Sequence, residues 1–211
     1  MIDQDVASLL RKRERVCVFV DNSDLFDALH GRKIDYIKLK EILAAGRSVN
    51  RANFYYSEPP PAKFYFSEPP YNKETKEEGE EALIAAKKRQ GFYYVLQRAG
   101  YTVVCLPQRE RHENGDYYFE DALQLEIVYD MCELSSGKFD TFILVAGDEA
   151  YVRTVSRVRQ DTGINVEIAF FDSSCSGKLK EVGNKFVDLD QEHLVRELFR
   201  SEARDAAVRE E

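Results

Sequence analysis

The chain has 211 residues, of which 44% are hydrophobic and 32% charged, and its net charge is −8. That length suits one domain with an appendage, and the apolar share is enough for a core. No apolar run approaches the roughly 18 residues that span a bilayer, Met1 to Arg15 has no signal-peptide core, and the acidity argues against bulk electrostatic coating of nucleic acid; a cytoplasmic protein with no membrane partner is expected.

Residues 1–14 read as a tail, 15–190 as one domain and 191–211 as a C-terminal amphipathic helix. The first strand is expected at Val16–Val20, because the run is short, β-branched and aromatic. Helices follow at Asp24–Leu29 and Tyr36–Ala45, then a strand at Ala52–Tyr56. Next comes a near repeat, Phe54-Tyr55-Tyr56-Ser57-Glu58-Pro59-Pro60 against Phe64-Tyr65-Phe66-Ser67-Glu68-Pro69-Pro70. Two copies do not make a solenoid. A packed strand end with a loop is the favoured account, and an aromatic lip that stacks bases is the functional alternative.

The charged run Lys73 to Glu81 opens a long helix to about Ala99, with Leu83, Phe92 and Leu96 on its apolar face. A strand at Thr102–Leu106 stops at Pro107. Gln108–Tyr118 reads as a polar connection with an Asn114-Gly115 turn. A helix at Glu120–Leu134, a strand at Thr141–Ala146 and a helix at Glu149–Asp161 follow. The chain then gives a strand at Val166–Phe171, a short helix at Lys178–Val182, a strand at Phe186–Val187 and a final helix at Gln191–Val208. This alternation predicts an α/β fold, a mainly parallel sheet covered by helices on both faces. Cys17, Cys105, Cys132 and Cys175 show no metal-binding spacing, and His30, His112 and His193 are scattered, so a structural zinc is not expected.

Two strands end at an aspartate: Val16–Val20 at Asp21, and Thr141–Gly147 at Asp148. Ligands of open α/β sheets sit beyond the carboxyl ends of strands. If the strands are neighbours, both carboxylates project into one crevice, where paired acids commonly hold a hard divalent cation. An ordinary helix start, with Ser23 or Asp24 as N-cap, explains one polar residue of Asp21-Asn22-Ser23-Asp24 but not all of them. For Asp148 a plain N-cap is an equal alternative.

Taken together, Asp21-Asn22-Ser23-Asp24-Leu25, Asp130-Met131, Ala146-Gly147-Asp148-Glu149-Ala150-Tyr151 and Gly163-Ile164-Asn165-Val166 resemble, in order, the motifs of the NYN family. These PIN-like nuclease domains include the LabA-like proteins. The resemblance covers roughly Arg15 to Asp188. It implies a three-layer PIN-like, Rossmann-like fold and hydrolysis of single-stranded RNA with Mg²⁺ or Mn²⁺. It carries catalytic roles onto Asp21 and Asp148, with Asp24 and Glu149 as further candidate metal ligands.

The departures are specific. The family's first motif has asparagine where Asp24 stands, and the second aspartate of its Gly-Asp-x-Asp motif is here Ala150. Six residues before Asp130, the usual metal-binding aspartate is replaced by Gln124. Asp121 lies three residues earlier on the same helical face, about 4.5 Å away along the axis. It is the candidate third catalytic and metal-binding acid, and is expected to face the crevice in preference to Glu126 or Asp130.

Candidate RNA contacts are Asn22, Ser23, Arg109, Arg111 and Arg153, with Arg157 one turn beyond Arg153. Lys87, Lys88 and Arg89 read as a solvated helix face. Tyr55, Phe64 and Tyr118 are aromatics on which unpaired bases could stack. Beside the ribonuclease stands a second expectation, a catalytically weakened NYN-like protein that binds RNA or a protein partner, which Gln124 and Ala150 favour. The C-terminal helix is expected to pack on its own domain, on a second copy or on another protein. A phosphate-binding α/β protein is disfavoured, since no Gly-rich loop follows the first strand.

Overall fold

The computed structural model describes residues 14–58, 73–113, 116–120 and 122–199. Six strands form one parallel sheet: β1 (Arg15–Asp21), β2 (Ser48–Glu58), β3 (Thr102–Pro107), β6 (Thr141–Val145), β7 (Asn165–Phe170) and β8 (Lys185–Asp188). Their spatial order is β3-β2-β1-β6-β7-β8. Between β3 and β6 lies an antiparallel hairpin of β4 (Arg109–Glu113) and β5 (Asp116–Glu120).

The helices are α1 (Asn22–Leu29), α2 (Tyr36–Ala44), α3 (Lys73–Arg98), α4 (Leu123–Leu134), α5 (Val152–Thr162), α6 (Gly177–Val182) and α7 (Glu192–Leu198). Strand side chains alternate between the two faces of a sheet, and here both faces are buried. Val16, Val18 and Val20 join Ile143, Val145 and Phe54 in one core with Leu25, Leu39 and Leu96 of α1, α2 and α3. Cys17 and Phe19 join Phe142, Leu144 and Tyr55 in a second core with Ile127, Val155 and Leu179 of α4, α5 and α6. Three layers follow directly, and the expected fold class holds.

The chain builds outward from β1 through β2 to β3, then returns to place β6 on the other side of β1. The direction of winding therefore reverses between β1 and β6. At such a switch point the connections leave in opposite directions and open a crevice above the strand ends. Asp21 ends β1, and Asp148 lies three residues beyond the end of β6.

Several boundaries differ from expectation. The polar connection after β3 is a hairpin, in which Arg111 pairs with Tyr118 and Arg109 with Glu120. Glu120 therefore belongs to β5, and α4 starts at Leu123. The last helix ends at Leu198, because Phe199 is extended (φ −91°, ψ 124°) and bridges to Ile34. Leu198 is fully buried and its carbonyl accepts from the Asp35 amide at 2.8 Å. Through residue 199 the C-terminal helix thus turns its apolar side to its own domain. The Phe64 copy of the near repeat lies outside the described residues.

Candidate functional site

Asp21 itself is the N-cap of α1, in place of the expected Ser23 or Asp24. Its Oδ1 accepts the amides of Ser23 at 2.9 Å and Asp24 at 3.4 Å. A cap satisfies amides that have no partner within the helix. Its Oδ2 accepts from the Tyr151 hydroxyl at 2.5 Å. Asp21 is 1% exposed and Tyr151 fully buried. Burial, with the Asp24 charge adding, pushes the Asp21 carboxyl up to about 6. The same burial, reinforced by Asp21, raises the Tyr151 phenol far above its ordinary value. Asp21 is thus held as an acceptor by a hydroxyl that will not ionise.

Asp24 takes the next position. Its Oδ2 accepts the amides of Gly147 at 2.8 Å and Asp148 at 2.9 Å. It therefore clamps α1 to the end of β6. Its pKa is raised by burial and by the charges of Asp148 and Asp27, against the pull of the two amides. Gly147 is needed here for space. A Cβ would come within 2.6 Å of the Phe170 ring and 2.7 Å of the Ser174 carbonyl, so no side chain fits where Asp24 pulls the backbone in.

Asp148 is exposed. Its Oδ1 caps the 3-10 turn Glu149–Tyr151 through the Ala150 amide at 2.8 Å. Its Oδ2 accepts from the Gln124 side-chain amide at 3.0 Å. Gln124 therefore faces the crevice, as its stripe on α4 predicts. Asp121 lies outside the described residues. Asp130 points to β2, where its Oδ2 accepts from the Tyr55 hydroxyl at 2.5 Å and Asn53 Nδ2 at 3.1 Å.

β1 and β6 are neighbouring and parallel, and Asp21, Asp24 and Asp148 form one linked group. Asp24, Gly147 and Asp148 also line a cavity of about 330 Å³ with Asp27, His30 and Ser174. Glu149 is exposed and pairs with Lys178 at 3.3 Å rather than with the acids. Asn22 and Ser23 open onto a separate, larger groove of about 730 Å³. Arg153 is exposed on α5. Arg109 and Arg111 are placed by backbone on β4. Tyr55 is fully buried and closed to a base, so its expected stacking role is withdrawn: an alternating strand turns that ring into the sheet's α4 face.

The group fits a resident Mg²⁺ or Mn²⁺ poorly. Such ions take oxygen ligands at about 2.0–2.1 Å in octahedral geometry. A carboxylate oxygen that accepts an amide keeps a second lone pair, but the Tyr151 hydroxyl and Gln124 amide aim side-chain hydrogens at the acids, where an ion would compete with them. Among the described residues, no three His, Cys, Asp or Glu side chains converge as metal ligands. Tyr151 was the residue that motif reading missed. The signal was present, a hydroxyl where the family's motif has phenylalanine.

The NYN domain family model matches residues 15–190. Among solved structures, a crystal structure of a protein of unknown function from Vibrio parahaemolyticus RIMD 2210633 is similar in fold. Its TM-score is 0.63 at 19% identity, over 90% of this chain and 98% of that one. Among curated proteins, none matches.

Proposed function

Because the chain belongs to the NYN family of PIN-like nuclease domains, we propose that it binds single-stranded RNA at the carboxyl ends of β1 and β6 without cutting it. One observation carries this reading. Two side chains where this chain departs from the family's motifs, Tyr151 and Gln124, each donate a hydrogen bond to a remaining acid. In metal-dependent hydrolysis the ion supplies an activated water and neutralises charge on the phosphate. Here those acids are engaged by protein donors, and Asp21 is buried and drawn toward its neutral form. The protein's own residues then do structural work: Asp21 caps α1, and Asp24 docks α1 on β6.

Single strands suit this surface. An acidic protein gains little from the dense phosphate charge of a duplex, whereas unpaired bases offer their faces to aromatic side chains. The protein would act in regulation, by occupying RNA.

A second reading, slow Mg²⁺- or Mn²⁺-dependent cleavage, is favoured by the exposure of Asp148 beside Asp24 in one cavity. One labelled oligonucleotide separates the two. Binding that EDTA leaves unchanged, with no products in either metal, supports the first. Cleavage that needs the metal and disappears in Asp148→Asn overturns it in favour of the second.

A further inference from the structure

The groove of about 730 Å³ lies between α1, the end of β2 and α3, and Asp27 is common to it and to the acid cavity. Asn22 and Ser23, which follow Asp21 directly, also line it. It is therefore the natural continuation of the site at the switch point.

Its lining has an unusual chemistry for a chain of net charge −8. Lys33, Lys88 and Arg89 all line it. No carboxylate among the described residues pairs with any of the three. Arg32 differs, since its Nε donates to the Leu29 carbonyl and its guanidinium lies 4.2 Å from the centre of the Phe199 ring. In the same lining, Phe26 is 66% exposed, an uncommon cost for a residue on a short helix that has a core side available. Tyr56 is half-buried in the same wall. Ser57, also in the lining, has a buried Oγ with no hydrogen-bond partner among the described residues. A ligand that offers flat rings and regularly spaced negative charge would suit the exposed ring and the unpaired cations.

We propose that this groove is the track of the RNA strand flanking the acid cluster, with bases stacked on Phe26 and Tyr56 and phosphates held by Lys33, Lys88 and Arg89. The proposal rests on the RNA-binding reading above. Stacking tolerates any sequence, because every base has a face, and the cations follow the backbone. The groove adjoins the acid crevice at Asp27 and supplies the cations that the crevice lacks, so it holds the phosphates that flank the nucleotides at the strand ends.

The test is fluorescence anisotropy with oligouridylate of about ten nucleotides, a length within the span of single-strand sites. The variants are Lys88→Ala/Arg89→Ala, the exposed Phe26→Ala, and a control of equal charge far from the groove, Lys138→Ala/Lys185→Ala. The groove double variant is expected to bind about tenfold or more weakly and to flatten the log K against log salt slope by about 1.4, the value for two phosphate contacts on a single strand. Phe26→Ala is expected to weaken binding about fivefold or more at unchanged salt slope. The control is expected to stay near wild type. If wild type binds and the groove and control variants are indistinguishable, the track is elsewhere and the RNA reading stands. If wild type binds no RNA, the reading falls and the track with it. Uridine monophosphate or polyglutamate binding as tightly as the oligonucleotide would replace the strand with a nucleotide or an acidic protein segment, and would overturn the proposal.

Discussion

At the amino ends of the strands, Glu14 and Glu167 meet the guanidinium of Arg47. At the carboxyl ends, Asp21, Asp24 and Asp148 meet only amide and hydroxyl donors. Arg47 holds Glu167 with two bonds of 2.8 Å and reaches Glu14 at 3.4 Å. The Arg47 side chain is 7% exposed and that of Glu167 11%. Glu14 also accepts from the Thr141 hydroxyl. Two carboxylates here share one guanidinium, and the cluster ties β1, β2, β6 and β7 together. Asp21, Asp24 and Asp148 have no cationic partner among the described residues. Burial raises the pKa of Asp21 and Asp24, and the oxygens of all three acids are met by hydrogen bonds. Two acid groups on one sheet thus serve different purposes. One secures the fold, and the other lines the crevice at the switch point.

Breaking the amino-end cluster should have the largest effect. Removing one partner of a buried ion pair leaves an uncompensated charge and costs about 3–5 kcal/mol. Arg47→Ala is therefore expected to lower the unfolding free energy by that order, read by urea denaturation at pH 7. A loss under about 1 kcal/mol would show that this end is no more structural than a surface pair.

The opposite end should respond with the opposite sign. Asp21 has its pKa raised to about 6 in the folded protein from 3.8. The stability this gives is fully present below about pH 4 and is lost as pH rises through 6. Asp140, lowered to about 2 chiefly by hydrogen bonds from Arg15, acts only at more acid pH, and Asp24, raised like Asp21, is common to wild type and variant. Asp21→Asn removes the buried charge and keeps an oxygen for the Ser23 amide, while the Tyr151 hydroxyl can turn to accept. The variant is expected to be more stable than wild type at pH 7 by about 1–3 kcal/mol, with the advantage vanishing near pH 4. Thermal melts across pH 4–8 decide it, and a variant that is less stable at every pH would mean that Asp21 is needed as an ion.

Restoring the family's residues sharpens the contrast further. Gln124→Asp/Tyr151→Phe removes both side-chain donors and adds an acid. Without metal, the double variant is expected to lose about 1–3 kcal/mol, since Asp21 loses its hydroxyl partner and like charges meet. Millimolar Mn²⁺ should then raise its melting temperature while leaving wild type unmoved, because an ion bound only by the folded state stabilises it. Wild type that is stabilised equally would show that the hydroxyl and amide yield to a metal, and would return the nuclease reading to first place.

The layers were legible in the sequence because buried parallel strands are continuous apolar runs ending at polar residues. Val16–Val20 and Thr141–Val145 advertise both the strand and the place where it stops. The joint position of Asp21 and Asp148 followed from that grammar. The hydrogen bonds were not legible. That Asp24 would bond to the Gly147 and Asp148 amides, or Tyr151 to Asp21, depends on contacts more than 120 residues apart in sequence. The hairpin of β4 and β5 was missed because β4, Arg109–Glu113, is polar throughout and offers no alternating apolar face. The groove cations were undervalued for a related reason. Lys88 and Arg89 look like any solvated helix surface until α1 and Tyr56 are placed opposite.

The smallest effect is expected at Glu149, which stands next to Asp148 and was the candidate to replace the acid missing at Ala150. Its carboxylate instead reaches Lys178 at 3.3 Å, with side chains 60% and 71% exposed. Exposed pairs of this kind are worth little, because water screens them and both side chains lose freedom. Glu149→Ala is therefore expected to change stability by less than about 0.5 kcal/mol. It should also leave oligouridylate affinity unchanged, since neither Glu149 nor Lys178 lines the groove. A marked change in Mn²⁺ response on this substitution would give the carboxyl-end acids a partner that the present geometry assigns to Lys178.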